Sequence, residues 1–135
     1  MNKLGDLSCN EFLTELASAA PAPGGGGGAA MAGALAAALA SMVANLTIGK
    51  EKFADREPEV KELLEQAEAE RVRLLTLVDE DAAVFNSFMS CYKLPKTTDE
   101  EKAARTAAIR AAAKQAATVP LNIARSSFAV LKLAD

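Results

Sequence analysis

Between Ala29 and Leu46 the chain runs without a charged residue, and Ala dominates the segment. A stretch of that length and composition is one helix, which must be covered either by neighbouring protein or by lipid. Its richness in Ala rather than Leu or Ile, with Asn45 near its end and Lys50 and Lys52 just beyond, favours a central helix buried on all sides over a membrane span. Small residues recur every four positions, as Ala29, Gly33, Ala37 and Ser41, with Ala30, Ala34 and Ala38 alongside. Such rows let another backbone approach closely, from this chain or from a second copy.

The flanking segments carry their own helix signals. Ser8-Cys9-Asn10-Glu11 has the form of a capping box, so a first helix is expected from Ser8, bearing Phe12, Leu13 and Leu16 and ending before Pro21 and Pro23. Pro58 suits the first turn of a third helix, where its missing N–H is harmless. No proline or glycine follows before Cys91, which allows a helix about 51 Å long. The stripe Val60, Leu64, Ala67, Arg71, Leu74, Val78, Asp81, Phe85, Phe88, Tyr92 alternates steps of four and three, the spacing of a bundle seam. Thr98-Asp99-Glu100-Glu101 is a second capping box and opens a fourth helix to about Ala117. Pro120 then begins, or kinks into, a fifth helical segment through Leu131. The chain stops at Asp135 in mid-pattern, which reads as a C-terminal truncation of one domain spanning 1–135.

Composition narrows the class. Half of the 135 residues are hydrophobic but only 4% are aromatic, so the apolar half is mostly Ala and Leu, and strand formers are sparse. The expectation is an all-α bundle of about five antiparallel helices with a long central helix, one domain with one core. With no histidine, the Ser-His-Asp and Cys-His systems and the usual zinc sites are excluded, and no metal is expected. Cys9 and Cys91 form no CxxC pair and read as two reduced, packed thiols of a cytoplasmic protein. A net charge of −3 with interspersed signs argues against a nucleic-acid partner. Asp6, Glu11 and Glu15 interrupt any signal-peptide core.

Two constellations could carry chemistry. Gly24, Gly25, Gly26, Gly27 and Gly28 are consecutive and precede a helix, so their N–H groups could converge on an anion; the alternative is a flexible hinge. No GKS or GKT ending follows, which excludes a P-loop. Asp81 lies within about 60° of Leu74, Val78, Phe85 and Phe88 on an ideal helix and faces the core or a core-lined pocket. Asp79 is rotated by about 200° and points away, so the two are not a glycosidase-type pair. A carboxylate in such surroundings suits general acid–base work, or else caps a neighbouring helix or pairs with an arginine. Arg71, about 15 Å along the same helix, is too far to be that partner. Lys50 and Lys52 follow Gly49 and either complement the helix dipole or meet an anionic substrate tail. Glu59, Glu62, Glu65, Glu68 and Glu70, with Lys61 and Arg73, read as a solvated face.

Pro21-Ala22-Pro23-Gly24-Gly25-Gly26 with the Ala-rich helix, Ser41 to Lys50, and Leu77-Val78-Asp79-Glu80-Asp81-Ala82-Ala83-Val84-Phe85 together resemble the cyclodeaminase/cyclohydrolase family of folate one-carbon metabolism. Lys93-Leu94-Pro95-Lys96 and Val119-Pro120-Leu121 fit in the same order, and the resemblance covers nearly the whole chain. It implies an all-α, dimerising, cytoplasmic enzyme with no metal or redox cofactor and a tetrahydrofolate derivative as substrate. It also implies one of two reactions: hydrolysis of the 5,10-methenyl bridge, or ammonia release from 5-formiminotetrahydrofolate. The family's important aspartate, the second of an Asp-x-Asp pair, falls on Asp81; on the main reading of this sequence Gly24 to Gly28 form the substrate-holding loop and Lys50 or Lys52 meets the glutamate tail. Gly27 stands where the family's loop has a serine; if that hydroxyl bonds substrate, its replacement by Gly costs binding about 1 kcal/mol. The family continues for roughly a third more chain, so a non-catalytic helical subunit is the rival expectation.

Overall fold

The computed structural model describes residues 3–135, which form α1 (Cys9–Leu16), α2 (Gly25–Thr47), α3 (Glu57–Cys91) and α4 (Asp99–Leu133). Short 3-10 turns at Leu4–Asp6 and Glu51–Arg56 precede α1 and α3. Both capping boxes are made. Ser8 Oγ accepts the Glu11 N–H while Glu11 accepts that of Ser8, and Thr98 and Glu101 repeat the exchange at α4. Pro58 lies in the first turn of α3.

Both α2 and α4 run antiparallel to α3. Gly26 lies at Asp81 and Gly33 at Leu74, so α2 ascends as α3 descends. α4 returns beside α3 after the turn at 92–98, and its Ser127 meets Gly33 and Leu74 at one level. A Cβ on Gly33 would lie 2.9 Å from Ser127 Oγ and 3.1 Å from Leu74 Cδ1, so those side chains would have to shift to admit one. Leu74, Leu77 and Val78 are the largest fully buried side chains, packed against Ala30, Ala34 and Ala37 of α2 and Val119, Ile123 and Val130 of α4. Small side chains on α2 thus bring its axis near a seam of large ones on α3.

Among the described residues four α-helices stand where about five helices were expected, because α4 runs through Pro120 without ending. The ring is exposed, while Val119, Ile123, Ser126 and Val130 are buried at steps of four, three and four on both sides of it. Packing of that one face outweighs the ~3 kcal/mol that proline costs a helix interior.

A second correction concerns α2, which is not buried on all sides. Gly27, Ala30, Ala34, Ala37, Ser41 and Ala44 form its one buried stripe. On the opposite face Leu35 (64% exposed), Leu39, Met42, Val43 and Leu46 are open. The helix is long and apolar enough to cross a membrane by length and composition. Cys9 is exposed rather than packed and Cys91 is half-buried, both as free thiols.

The α3 seam also closes only in its middle. Its buried residues are Ala67, Leu74, Leu77 and Val78; Phe85 and Tyr92 are exposed. α2 begins at the level of Asp81, so nothing from it covers α3 beyond that point or α4 before Val119, and no residue of either projecting part is buried. Glu68 and Glu70 depart from the expected solvated face and are half-buried. Arg71 pairs with Glu68, Nη2 to Oε2 at 2.7 Å, instead of reaching Asp81.

The Arg71 guanidinium, and secondarily the Ser41 hydroxyl, hold the Glu68 carboxyl down at about 2. Ser41 Oγ makes no hydrogen bond of good geometry, so Arg71 is the main cause. A lowered pKa gives stability that is present above the ordinary carboxylate range near 4.5 and is lost as pH falls towards 2. Urea midpoints of the wild type and Glu68→Gln should therefore differ at pH 7 and converge between those limits. Parallel curves throughout would show that the pair contributes nothing.

Candidate active site

The Asp81 carboxylate is held across a helix–helix contact. Its Oδ2 accepts the Gly27 N–H at 3.0 Å, across the α2–α3 contact. α2 has Gly24 as its N-cap and makes no side-chain cap bond of its own. The carboxylate of another helix takes that place, among the orphan N–H groups and at the positive end of the α2 dipole. Of the roles considered for Asp81, capping a neighbouring helix is thus met.

Sequence alone suggests that the glycines form a loop, whereas Gly25 to Gly28 are the first turn of α2. Each helical glycine weakens the helix by about 1 kcal/mol relative to Ala, so this turn requires a tertiary reason. At Gly26 the reason is steric: a Cβ would overlap Asp81 Oδ1 and lie 2.6 Å from its Cγ. Gly28 packs on Leu16 of α1, where a Cβ would come within 3.3 Å of Cδ2. At Gly27 a Cβ would meet Pro23 Cβ at 3.4 Å, an ordinary contact, so the backbone has room for the serine expected there.

A cavity of about 310 Å³ opens beside Asp81, lined by Pro21, Ala22, Gly24, Gly25, Gly26, Ala82, Val84, Phe85, Ala116 and Pro120. Apolar walls with one carboxylate and a helix terminus make a site that can hold a flat organic group and exchange a proton with it. In the sequence Pro120 reads as the start of, or a kink into, a fifth helical segment and Ala116 carries no signal; both enter the site because α4 continues past them. Asp79 points away as expected, its Oδ1 accepting the Leu4 N–H at 2.7 Å.

Lys50 and Lys52 are exposed beyond the far end of α2, about 35 Å along its axis from Gly25, so one chain does not bring them to Asp81. Lys52 Nζ instead lies 5.4 Å from the Phe53 ring centroid. Among the described residues no group of three or more Cys, Asp or Glu is arranged to hold a metal ion.

Helices of this arrangement, with a carboxylate from one capping another above a glycine turn, define an all-α protein with a carboxylate-bearing pocket at a helix terminus. The sequence model of the family described as formiminotransferase-cyclodeaminase matches residues 8–135, and the chain belongs to that family. It is 49% identical over 131 residues to the methenyltetrahydrofolate cyclohydrolase of Methylorubrum extorquens, covering 97% of this chain and 63% of that protein. It is 40% identical over 121 residues to the formimidoyltransferase-cyclodeaminase of Rattus norvegicus, covering 90% of this chain and 22% of the other. The chain therefore spans less than two thirds of the length of either relative. Its fold is similar to the crystal structure of formiminotetrahydrofolate cyclodeaminase from Thermotoga maritima, with a TM-score of 0.65, 29% identity, and coverage of 97% of this chain and 76% of that one.

The glycine geometry separates two neighbours cleanly. Gly26→Ala should destabilise the protein and break the Asp81 contact, whereas Gly25→Ala, with nothing within 4 Å of the new Cβ, should stabilise it by up to ~1 kcal/mol. Chemical denaturation reads both, and equal effects would refute the steric account of Gly26.

Proposed function

We propose that this chain hydrolyses 5,10-methenyltetrahydrofolate to 10-formyltetrahydrofolate, with Asp81 as general acid–base. The observation that carries the reading is the Asp81 carboxylate fixed by the Gly27 N–H at the wall of an apolar cavity. Water adds to the electrophilic methenyl carbon as Asp81 takes one of its protons. The C–N5 bond then breaks, N5 receives a proton, the formyl group stays on N10, and the second proton of water leaves to solvent. Gly24 to Gly28 bind substrate through the first turn of α2. No metal or redox cofactor enters this scheme, and the setting is cytoplasmic.

Asn at position 81 keeps an acceptor for the Gly27 N–H but cannot move a proton. Asp81→Asn should thus fold normally and lose about 10²–10⁴-fold in rate, followed by the near-ultraviolet absorbance of the methenyl compound. No loss above buffer from the folded wild type would sink the cyclohydrolase reading. Likeness to the Thermotoga maritima cyclodeaminase supports a second reaction, ammonia release from 5-formiminotetrahydrofolate. In that case the same absorbance appears from the formimino compound instead of disappearing. A non-catalytic subunit predicts neither signal.

The exposed apolar face of α2 supports a homodimer, in which Leu35, Leu39, Met42, Val43 and Leu46 are covered by a second copy. An assembly that brings the end of one α2 to the glycine turn of another would let Lys50 or Lys52 meet a folate glutamate tail. Sedimentation at micromolar concentration should give a dimer that Leu39→Glu dissociates. A wild-type monomer contradicts this, and recovery only with detergent favours lipid as the cover.

A further inference from the structure

Two carboxylates stand two residues apart on α3, and each holds a backbone N–H of a different segment. Asp81 does so for Gly27. Asp79 does so for Leu4, whose N–H it accepts at 2.7 Å in a part-buried bond with 75 residues between the partners. Leu4–Asp6 is a single 3-10 turn, and Leu4 and Leu7 pack on the core. The fit is close, since a Cβ on Gly5 would come 3.3 Å from Leu75 O and 3.4 Å from Asp79 Oδ2. The first residues of a domain are poorly ordered unless tied in this way.

Held there, Leu4 walls a second cavity of about 450 Å³, with Asp79, Ala82, Asn86, Pro21 and Ala22 around it. Pro21, Ala22 and Ala82 also line the cavity at Asp81, so the two adjoin along this segment. The N5–C–N10 unit of a folate has an aromatic ring system on either side. A site that presents its carbon to Asp81 therefore needs room for rings in two directions. The cavity at Asp81 alone stands at the low end of the ~300–1,000 Å³ typical of small-molecule sites, and the second adds what one ring system requires.

We propose that Asp79 is a positioning residue of the folate site: by holding Leu4 it completes the neighbouring cavity, which takes one of the substrate's two ring systems. This rests on the folate reading given above. Asp79 touches no reacting atom, so its contribution is to binding and belongs in KM rather than kcat.

The test compares the wild type with Asp79→Ala, Asp79→Asn, Leu4→Ala and the Asp79→Ala/Leu4→Ala double variant. The readouts are binding of 5-formyltetrahydrofolate by calorimetry, steady-state kinetics, and hydrogen exchange at the Leu4 amide. Asp79→Ala and Leu4→Ala should each raise Kd and KM about five- to tenfold with kcat within about twofold, the scale of one hydrogen bond or one apolar wall removed. The double variant should be little worse than either single one, because both disrupt the same wall. Asp79→Asn keeps an acceptor oxygen and should restore wild-type binding and slow Leu4 exchange, which Asp79→Ala accelerates. Wild-type affinity in Asp79→Ala and Leu4→Ala, or a loss confined to kcat, overturns the proposal while leaving the folate reading intact. A wild type that binds no folate overturns both, and the two failures are distinct.

Discussion

The fold depends on one close approach, that of the Asp81 carboxylate to the first turn of α2. It exists because Gly26 has no Cβ and because α2 supplies no cap of its own. The contact fixes the register of α2 against α3, and Gly33 against Leu74 and Ser127 repeats that register two turns further along. A helix otherwise indifferent to its axial position, since Ala looks alike at every step, is thereby given one position. Polar and steric specificity at two levels does what a uniform alanine surface cannot.

The same contact underlies the proposed chemistry. The carboxylate that caps α2 is also the one that faces a cavity, so the structural role and the proposed catalytic one fall on one side chain. Its orientation is over-determined by a backbone N–H and by the glycine beneath it, the kind of pre-organisation a proton-transfer group requires. The site is built mainly on helices, with Pro21, Ala22 and the N-cap Gly24 contributed by the connection between α1 and α2.

Much of this was legible in the sequence. The two capping boxes, Pro58 and the separation of Asp81 from Asp79 follow from local rules and helical geometry, and they hold. What escaped was decided by partners distant in sequence. The glycines look like a loop because propensity disfavours them in a helix, and only the packing of Asp81 and Leu16 reverses that. Pro120 looks like the start of, or a kink into, a further helix because nothing local reveals that Val119 and Ile123 share a buried face across it. A uniformly apolar α2 gave no indication that one face would be left open. Lys50 and Lys52 follow the glycine helix in sequence, but a helix of 23 residues puts its two ends far apart.

The long helices α3 and α4 share a length of 35 residues, yet α2 accompanies only part of their course. Every buried residue of α3 lies between Ala67 and Val78, and every one of α4 between Val119 and Val130. Protection from solvent is therefore graded along the long axis instead of being uniform. The end joined by the turn at 92–98 can open locally at a fraction of the global unfolding energy, while the three-helix level around Leu74 opens only with the whole molecule. The cavity beside Asp81 lies at the boundary between these two regimes, with a rigid floor on one side and a yielding two-helix arm on the other.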